Sequence, residues 1–291
     1  MYQWIRKDNS STPMREITSA GVTYLAFPAL LESGMVRHGF STRMGGVSEG
    51  PYATMNFSFT RGDDPEAVRE NYRRMAEALR VDMEKMVLTW QTHTTNVRVV
   101  SEEDLGKGII KERDYRDVDG LITDEPGLVL STFYADCVPL YVVDPVHRAI
   151  GMSHSGWRGT AARMGAVTLS AMQEAYGTRP EDVVCAVGPS ICRDCYEVSA
   201  DVADIFAEEF PGHEQEILAE SEKNSVGMAH ADKKYQLDLW KANEIIFQEA
   251  GVRKEHLAVT DICTCCNPKL LFSHRASHGK RGNLGGFLYL K

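Results

Sequence analysis

Three residues far apart in the chain, His93, Cys137 and His154, carry the side chains best suited to act together at one point. A thiolate and an imidazole that meet form either a nucleophile with its base or two ligands of a soft metal. Two histidines with one cysteine suit zinc, and three protein donors instead of four leave a coordination position for water or substrate. Copper can take the same donors, because it outranks zinc in intrinsic affinity. A single histidine between strands is ordinarily a polar group satisfied by hydrogen bonds, so His93 alone carries no argument. The combination of residue types does.

The elements that must position these side chains can be read around them. Residues 128–133 and 138–143 are apolar, β-branched runs with the length of buried strands, and 149–152 offers a third. Cys137 closes Ala135-Asp136-Cys137 after the first run, and His154 opens His154-Ser-Gly-Trp-Arg-Gly159 after the third. A cysteine and a histidine at the ends of adjacent strands can meet at one sheet edge. His93 lies between expected strands at 86–89 and 97–100, and Asp119-Gly120 has turn chemistry. A helix expected over 160–175 begins beside Gly156, Arg158 and Gly159, where amide N–H groups and Arg158 could hold an anion; the glycine pattern matches neither a Walker loop nor a dinucleotide fingerprint. Arg43 stands in a turn-rich loop before Gly45-Gly46, where a guanidinium can fork two bonds to a phosphate or carboxylate, although loop arginines are ordinarily solvated.

Further strands are expected at 22–27, 36–40 and 183–187. Helices are expected at 65–79, capped by Asp63 or Asp64, and at 201–210 and 237–250. Residues 214–234 are polar and read as an excursion, and the chain finishes in a glycine-rich stretch around 279–287. The alternation of strands and helices without a linker or repeat predicts one α/β domain.

With 291 residues, 43% of them hydrophobic, the chain can bury a sizeable core without disulfides. The opening residues lack the apolar run of a signal peptide, and no stretch is long enough to span a bilayer, so the expected location is the cytoplasm. The formal charge of −9 argues against nucleic acid as a partner. Seven cysteines in such a chain favour metal or catalytic use over a disulfide framework. Cys192-x-x-Cys195 and Cys263-x-Cys265-Cys266 contain the spacings of a closed four-thiolate zinc site, but the irregular second cluster favours the plainer reading of buried, reduced thiols.

Seven segments in one order carry a resemblance that spans about residues 37–289: His38-Gly-Phe-Ser-Thr-Arg-Met-Gly-Gly-Val-Ser, Gln91-Thr-His, Asp117-Val-Asp-Gly-Leu-Ile-Thr, Ala135-Asp-Cys-Val-Pro, His154-Ser-Gly-Trp-Arg-Gly-Thr, Val187-Gly-Pro-Ser-Ile and Cys195-Tyr-Glu-Val. Together they resemble the laccase-domain family, once labelled multicopper polyphenol oxidase and now associated with purine nucleoside phosphorolysis and adenosine deamination. The resemblance implies a single-domain α/β/β/α sandwich of mixed sheets over residues 1–291, with 1–20 as a peripheral segment, acting as a monomer or homodimer on purine nucleosides and phosphate. It implies a zinc site at His93, Cys137 and His154, with Arg43, Asn56, Gln91 and Arg158 on the substrate side. Asp119, Asp136 and Glu197 are the acids that could shuttle protons. Two other chemistries stay open: a copper-dependent phenol oxidase, against which the chain shows none of the repeated His-x-His pairs that a multinuclear centre needs, and a Cys137–His154 amide hydrolase of cell-wall precursor editing. A scaffold with a purely structural zinc is the non-enzymatic alternative. The chain departs from the family near its end, where Gly279-Lys-Arg-Gly-Asn283 replaces a Gly-Thr-Thr-Gly-Arg-like segment, so an arginine contact there is lost or moved to Arg281. Residues 228–236 do not align.

Overall fold

Strand and helix signals in the sequence become, in chain order, β1 (Arg15–Ser19), β2 (Val22–Ala26), α1 (Pro28–Glu32), β3 (Val36–Ser41), α2 (Pro65–Leu79), β4 (Met86–Leu88), β5 (Val97–Val99), β6 (Gly120–Thr123), β7 (Val129–Tyr134), β8 (Val138–Asp144) and β9 (Ala149–Ser155). They continue as α3 (Trp157–Ala161), α4 (Met164–Tyr176), β10 (Val184–Val187), β11 (Glu197–Ser199), α5 (Ala200–Glu209), α6 (Glu214–Ile217), β12 (Leu218–Glu220), β13 (Lys234–Leu237), α7 (Leu239–Glu249), β14 (Leu257–Val259) and β15 (Leu284–Leu290). The structure, a computed structural model, describes residues 2–7, 14–225 and 227–291. None of its helices is long and apolar enough to cross a membrane.

Two six-stranded sheets form the frame, in the orders β1-β2-β3-β15-β7-β4 and β14-β10-β8-β9-β6-β5. Both are mixed: β4 runs parallel to β7, β5 to β6 and β10 to β14, while the other neighbours are antiparallel. Alternation along β8 shows why they stack. Val138, Leu140 and Val142 face α4 and α7, whereas Tyr141 and Val143 face the other sheet, where they meet Phe27, Phe40, Leu130 and Leu288. Each large apolar side chain sealed in these layers stabilises the fold by about 1.5–3 kcal/mol. The outer face of the first sheet is covered by Val68, Tyr72, Met75 and Leu79 of α2, a helix that Asp64 caps by accepting from the Glu66 amide at 3.0 Å. The result is a single-domain α/β/β/α sandwich.

Several local expectations need correcting. The glycine-rich finish is β15, a central strand of the first sheet; a Cβ on Gly286 would lie 2.2 Å from the Met152 methyl, so the glycine lets the two sheets approach. The polar excursion over 214–234 has structure of its own: β12 and β13 join β11 in a three-stranded sheet, separate from the two main ones, beside α5 and α6. The helix expected over 160–175 is two, α3 and α4, divided where Arg163 turns left-handed at φ 59°. Within the N-terminal 20 residues, Arg15–Ser19 pair with β2 as an edge strand. Positions 8–13 lie outside the described residues.

Candidate active site

The chain passes from the first sheet to the second twice at the same end of the sandwich. One crossing leads from β4 to β5 and carries His93; the other leads from β7 to β8 and carries Cys137. The crossings start side by side because β4 pairs in parallel with β7, and they end on β5 and β8, which β6 and β9 separate in the second sheet. His154 arrives on β9, whose pairing with β8 sets it opposite Pro139, two residues beyond Cys137. The 128–133 and 138–143 runs therefore belong to different sheets, and the site forms where the chain steps between them.

Ligand atoms of His93, Cys137 and His154 all lie within 4.8 Å of one another, with Cys137 Sγ 3.9 Å from His93 Nε2. The imidazoles of His93 and His154 meet edge to face, centroids 4.9 Å apart. Both crossings are bent into left-handed backbone, His93 at φ 65° and Asp136 at φ 85°, conformations that persist in non-glycine residues only when neighbours enforce them. Asp119 enforces the first: its buried carboxylate accepts from the amides of Thr92, His93 and Thr94 at 2.9, 3.1 and 3.0 Å. The second is held by Thr264 Oγ1 and the Arg275 amide, which donate to Asp136 at 2.6 and 2.7 Å. Gly156 makes room, because a Cβ there would lie 2.9 Å from His93 Cδ2 and 3.1 Å from Cys137 Sγ.

Asp119 also bonds His154 Nδ1 at 2.8 Å, which directs Nε2 towards Cys137 and raises the basicity of the ring. Burial alone would push the Cys137 thiol up; the charge and hydrogen bond of His154, helped by His93, prevail and bring it down to about 6. Burial alone would lower His154, yet the Cys137 thiolate and the Asp119 hydrogen bond hold it up at about 9. A deprotonated sulfur between two ring nitrogens, one of them backed by a carboxylate, has the chemistry and size of a three-donor site for a soft divalent metal.

Above the trio opens a cleft of two lobes, about 290 and 330 Å³, which share Arg61, His93, Ala135, Cys137 and Arg281. Phe59, Trp90, Gln91 and Phe133 wall one lobe; Asp136, Arg158, Tyr196 and His274 wall the other. Of the expected residues, Gln91, Asp136 and Arg158 line this cleft with the trio. Gln91 is committed to the backbone of Phe133, accepting from its amide at 2.7 Å and donating to its carbonyl at 2.8 Å. Asp119 lies beneath, behind His154. Asn56 is buried and braces the cleft loops, donating to the Ser58 carbonyl and accepting from the Ser58 and Asn283 amides. Arg43 lies elsewhere: its guanidinium donates to the carbonyls of Ala53 and Pro268 at 2.8 Å each and stacks on Phe272. Glu197 also points away, tied to Ser221 and Lys223.

Cationic groups complete the cleft: Arg281, which the sequence offered as a relocated arginine contact, and Arg61 and Arg113, which it did not single out. Arg281 is buried and bonded to Asn283, with its Nη2 3.4 Å from His274 Nδ1; burial, reinforced by the charge of Arg61, lowers it to about 10. Arg113 reaches the Thr89 carbonyl and stacks on Trp90. A signal existed for Arg61, which adjoins the Gly62-Asp63-Asp64 turn into α2; none existed for Arg113.

Comparison with known proteins shows the family. Residues 37–291 match the family described as multi-copper polyphenol oxidoreductase laccase. The chain belongs to that family. It is 34% identical over 87% of its length to the purine nucleoside phosphorylase YlmD of Bacillus subtilis, of which 88% is covered. Among solved structures it resembles the Bacillus licheniformis hypothetical protein YfiH, with a TM-score of 0.86 at 30% identity over 96% of this chain and 99% of that one. YlmD from Geobacillus stearothermophilus follows at 0.84 and 33% identity, with 96% and 100% covered. Despite the family's multi-copper description, the trio among the described residues is a set for a single ion.

Proposed function

We propose that the chain is a zinc-dependent purine nucleoside phosphorylase that also deaminates adenosine. The observation that carries this reading is the Asp119-backed His93–Cys137–His154 trio at the floor of a cleft with aromatic walls and several arginines. The names of its YlmD relatives support the same substrate class. The donor set fits zinc, which when bound supplies a Lewis acid beside the reacting atoms.

The residues divide the remaining work. Phe59, Trp90 and Phe133 offer apolar faces for a purine, and Arg61, Arg158 and Arg281 receive phosphate, a task transferred from Arg43 because that guanidinium is spent on carbonyls. In phosphorolysis a phosphate oxygen bonds to C1′ of the ribose as the C1′–N9 bond breaks, and the base leaves with a proton. His274, pushed down by burial and then by Arg281, can relay that proton to the base from the incoming phosphate. In deamination water adds at C6 of the purine and ammonia departs. Asp136, the one expected acid that lines the cleft, is the group placed to move protons there.

The test incubates zinc-quantified protein with adenosine, with and without phosphate, beside Cys137→Ala. Adenine and ribose 1-phosphate should form only with phosphate, inosine without it, and neither in the variant. A zinc-replete protein that turns over neither adenosine, inosine nor guanosine would sink the proposal. The depressed Cys137 thiol favours one second reading, a metal-free thiolate–imidazole amide hydrolase. Turnover that survives complete metal removal would select it.

A further inference from the structure

Away from the trio, Cys192, Cys195, Cys263 and Cys266 bring four sulfurs within 4.8 Å of one another. The convergence follows from topology. β10 and β14 pair in parallel, and the loops leaving their ends stay paired, with Ser190 bridging Cys263 and the Thr264 amide donating to the Ser190 carbonyl at 3.0 Å. Cys192 is thereby set against Cys263. Each loop then turns once to deliver its second cysteine: the Cys195 amide donates to the Cys192 carbonyl at 3.1 Å, and the Cys266 amide to Cys263 Sγ at 3.4 Å. In space the second cluster is Cys263-x-x-Cys266, the same spacing as Cys192-x-x-Cys195, and Cys265 stands outside the set. The irregularity that counted against a closed site came from including Cys265.

We propose that these four cysteines form a second metal site, a closed tetrathiolate that takes one zinc ion. A tetrahedral zinc with bonds of about 2.3 Å sets its sulfurs about 3.8 Å apart. Cys195 Sγ and Cys266 Sγ are 3.5 Å apart, and all four sulfurs span no more than 4.8 Å. Cys263 Sγ accepts amide N–H bonds from Cys192 at 3.2 Å and from Cys266 at 3.4 Å, donors that favour thiolate over thiol. Lys7 Nζ pairs with Asp194, within the first loop, at 2.9 Å and ties the N-terminal segment to that loop. On binding, each thiol releases one proton to solvent and no electron changes hands.

The ion's role is mechanical. Thr264, within the second loop, donates to Asp136, and the Ile191 amide donates to the Asp136 carbonyl at 3.0 Å. Arg275 reaches the Cys195 carbonyl at 3.2 Å, and Asn267 joins the Cys263 carbonyl to Ile5. Closing the sulfurs on one ion fixes both loops, and with them the left-handed turn that presents Cys137.

The test measures zinc per chain, and absorption after cobalt substitution, for protein purified in reductant: wild type, Cys137→Ala, Cys195→Ala and Cys266→Ala. Two equivalents in wild type are expected. One should remain in Cys137→Ala, with the sulfur-to-cobalt charge transfer and intense red d–d bands of a tetrathiolate, and that equivalent should vanish in the other two variants. Should those variants fail to fold, cobalt titration of Cys137→Ala alone decides. Zinc-supplemented Cys137→Ala that holds no metal would overturn the proposal. So would thiol titration of denatured, unreduced Cys137→Ala that shows two thiols missing, since that outcome makes the cluster a disulfide.

Discussion

The two donor clusters solve opposite problems with the same side chains. At the trio the chain brings together one donor from each sheet crossing and one from a strand, bends two non-glycine residues left-handed, and spends a buried carboxylate on orientation. At the four cysteines it uses two tight loops at the ends of paired strands, with no carboxylate or histidine in the set. The trio stops one donor short of a tetrahedron and faces a cleft; the four sulfurs complete theirs. The contrast teaches that backbone strain and orienting groups gather where a coordination position must stay open, because only there does the direction of each donor affect a reacting molecule.

The largest expected effect comes from crossing the clusters. Cys137→Ala should bring nucleoside turnover below detection with little change in Tm, whereas Cys195→Ala should lower Tm and, by loosening the turn at Asp136, reduce but not abolish kcat of the folded fraction. Thermal melts and product assays on both variants check this, and a Cys195→Ala enzyme with normal Tm and no activity would reverse the assignment. Next comes Asp119→Asn, which keeps the shape but weakens the acceptor for His154 and the three amides. Zinc affinity of the trio, read by competition with a chelator, and kcat should each fall by about 10–100-fold, with the tetrathiolate ion retained.

Arginines sharpen the same boundary between chemistry and frame. Arg281→Ala should raise KM for phosphate by about 10–100-fold, the worth of a lost charged hydrogen bond, with a smaller effect on KM for the nucleoside. Arg43→Ala should lower Tm instead, since its partners are the carbonyls of Ala53 and Pro268. Steady-state kinetics with phosphate as the varied substrate separate the two.

Two buried histidines extend the comparison to pH. His154 has Asp119 and Cys137 to hold a proton; His38 has neither. His38 Nε2 accepts from the Phe27 amide at 2.7 Å, and burial pushes the ring down to about 3. Because the unfolded chain takes up that proton near pH 6.5 and the folded one only near 3, the unfolded state binds more protons in that window. Stability is therefore present above pH 6.5 and is lost on acidification, by about 1.4 kcal/mol per pH unit. His38→Gln, which retains an acceptor for Phe27, should flatten the slope of ΔG against pH in urea melts between about pH 6 and 4. Equal slopes would show that His38 is protonated in the fold.

Much of this could be read from residue types, and the remainder depended on register. The trio was legible because a soft donor set stood at the ends of apolar runs. The part played by Asp119 was not, since Gly120 must pair with Ser153 before its carboxylate falls under both histidines. Arg43 beside two glycines had the better motif than Arg61 or Arg281, yet packing against Phe272 turned it away from the cleft. β15 was hidden because Gly285-Gly286 reads as a loop until another sheet needs the space that a side chain would fill.

Cys265 gives the smallest effect and the sharpest check on how the loops are registered. Sequence spacing offers Cys263-x-Cys265 and Cys263-x-x-Cys266 equally, and only the turn after Cys263, with the Cys266 amide on its sulfur, chooses between them. If that choice is right, Cys265→Ser removes a half-buried thiol that belongs to neither donor set. Zinc content, cobalt spectrum and phosphorolysis should then match wild type, with Tm changed by no more than the loss of one small side chain. A Cys265→Ser protein that loses an equivalent of zinc would instead mean that the second loop turns one residue earlier. Thr264, lying between the two cysteines, would then no longer be placed to hold Asp136, and the link between the closed cluster and the open one would be broken.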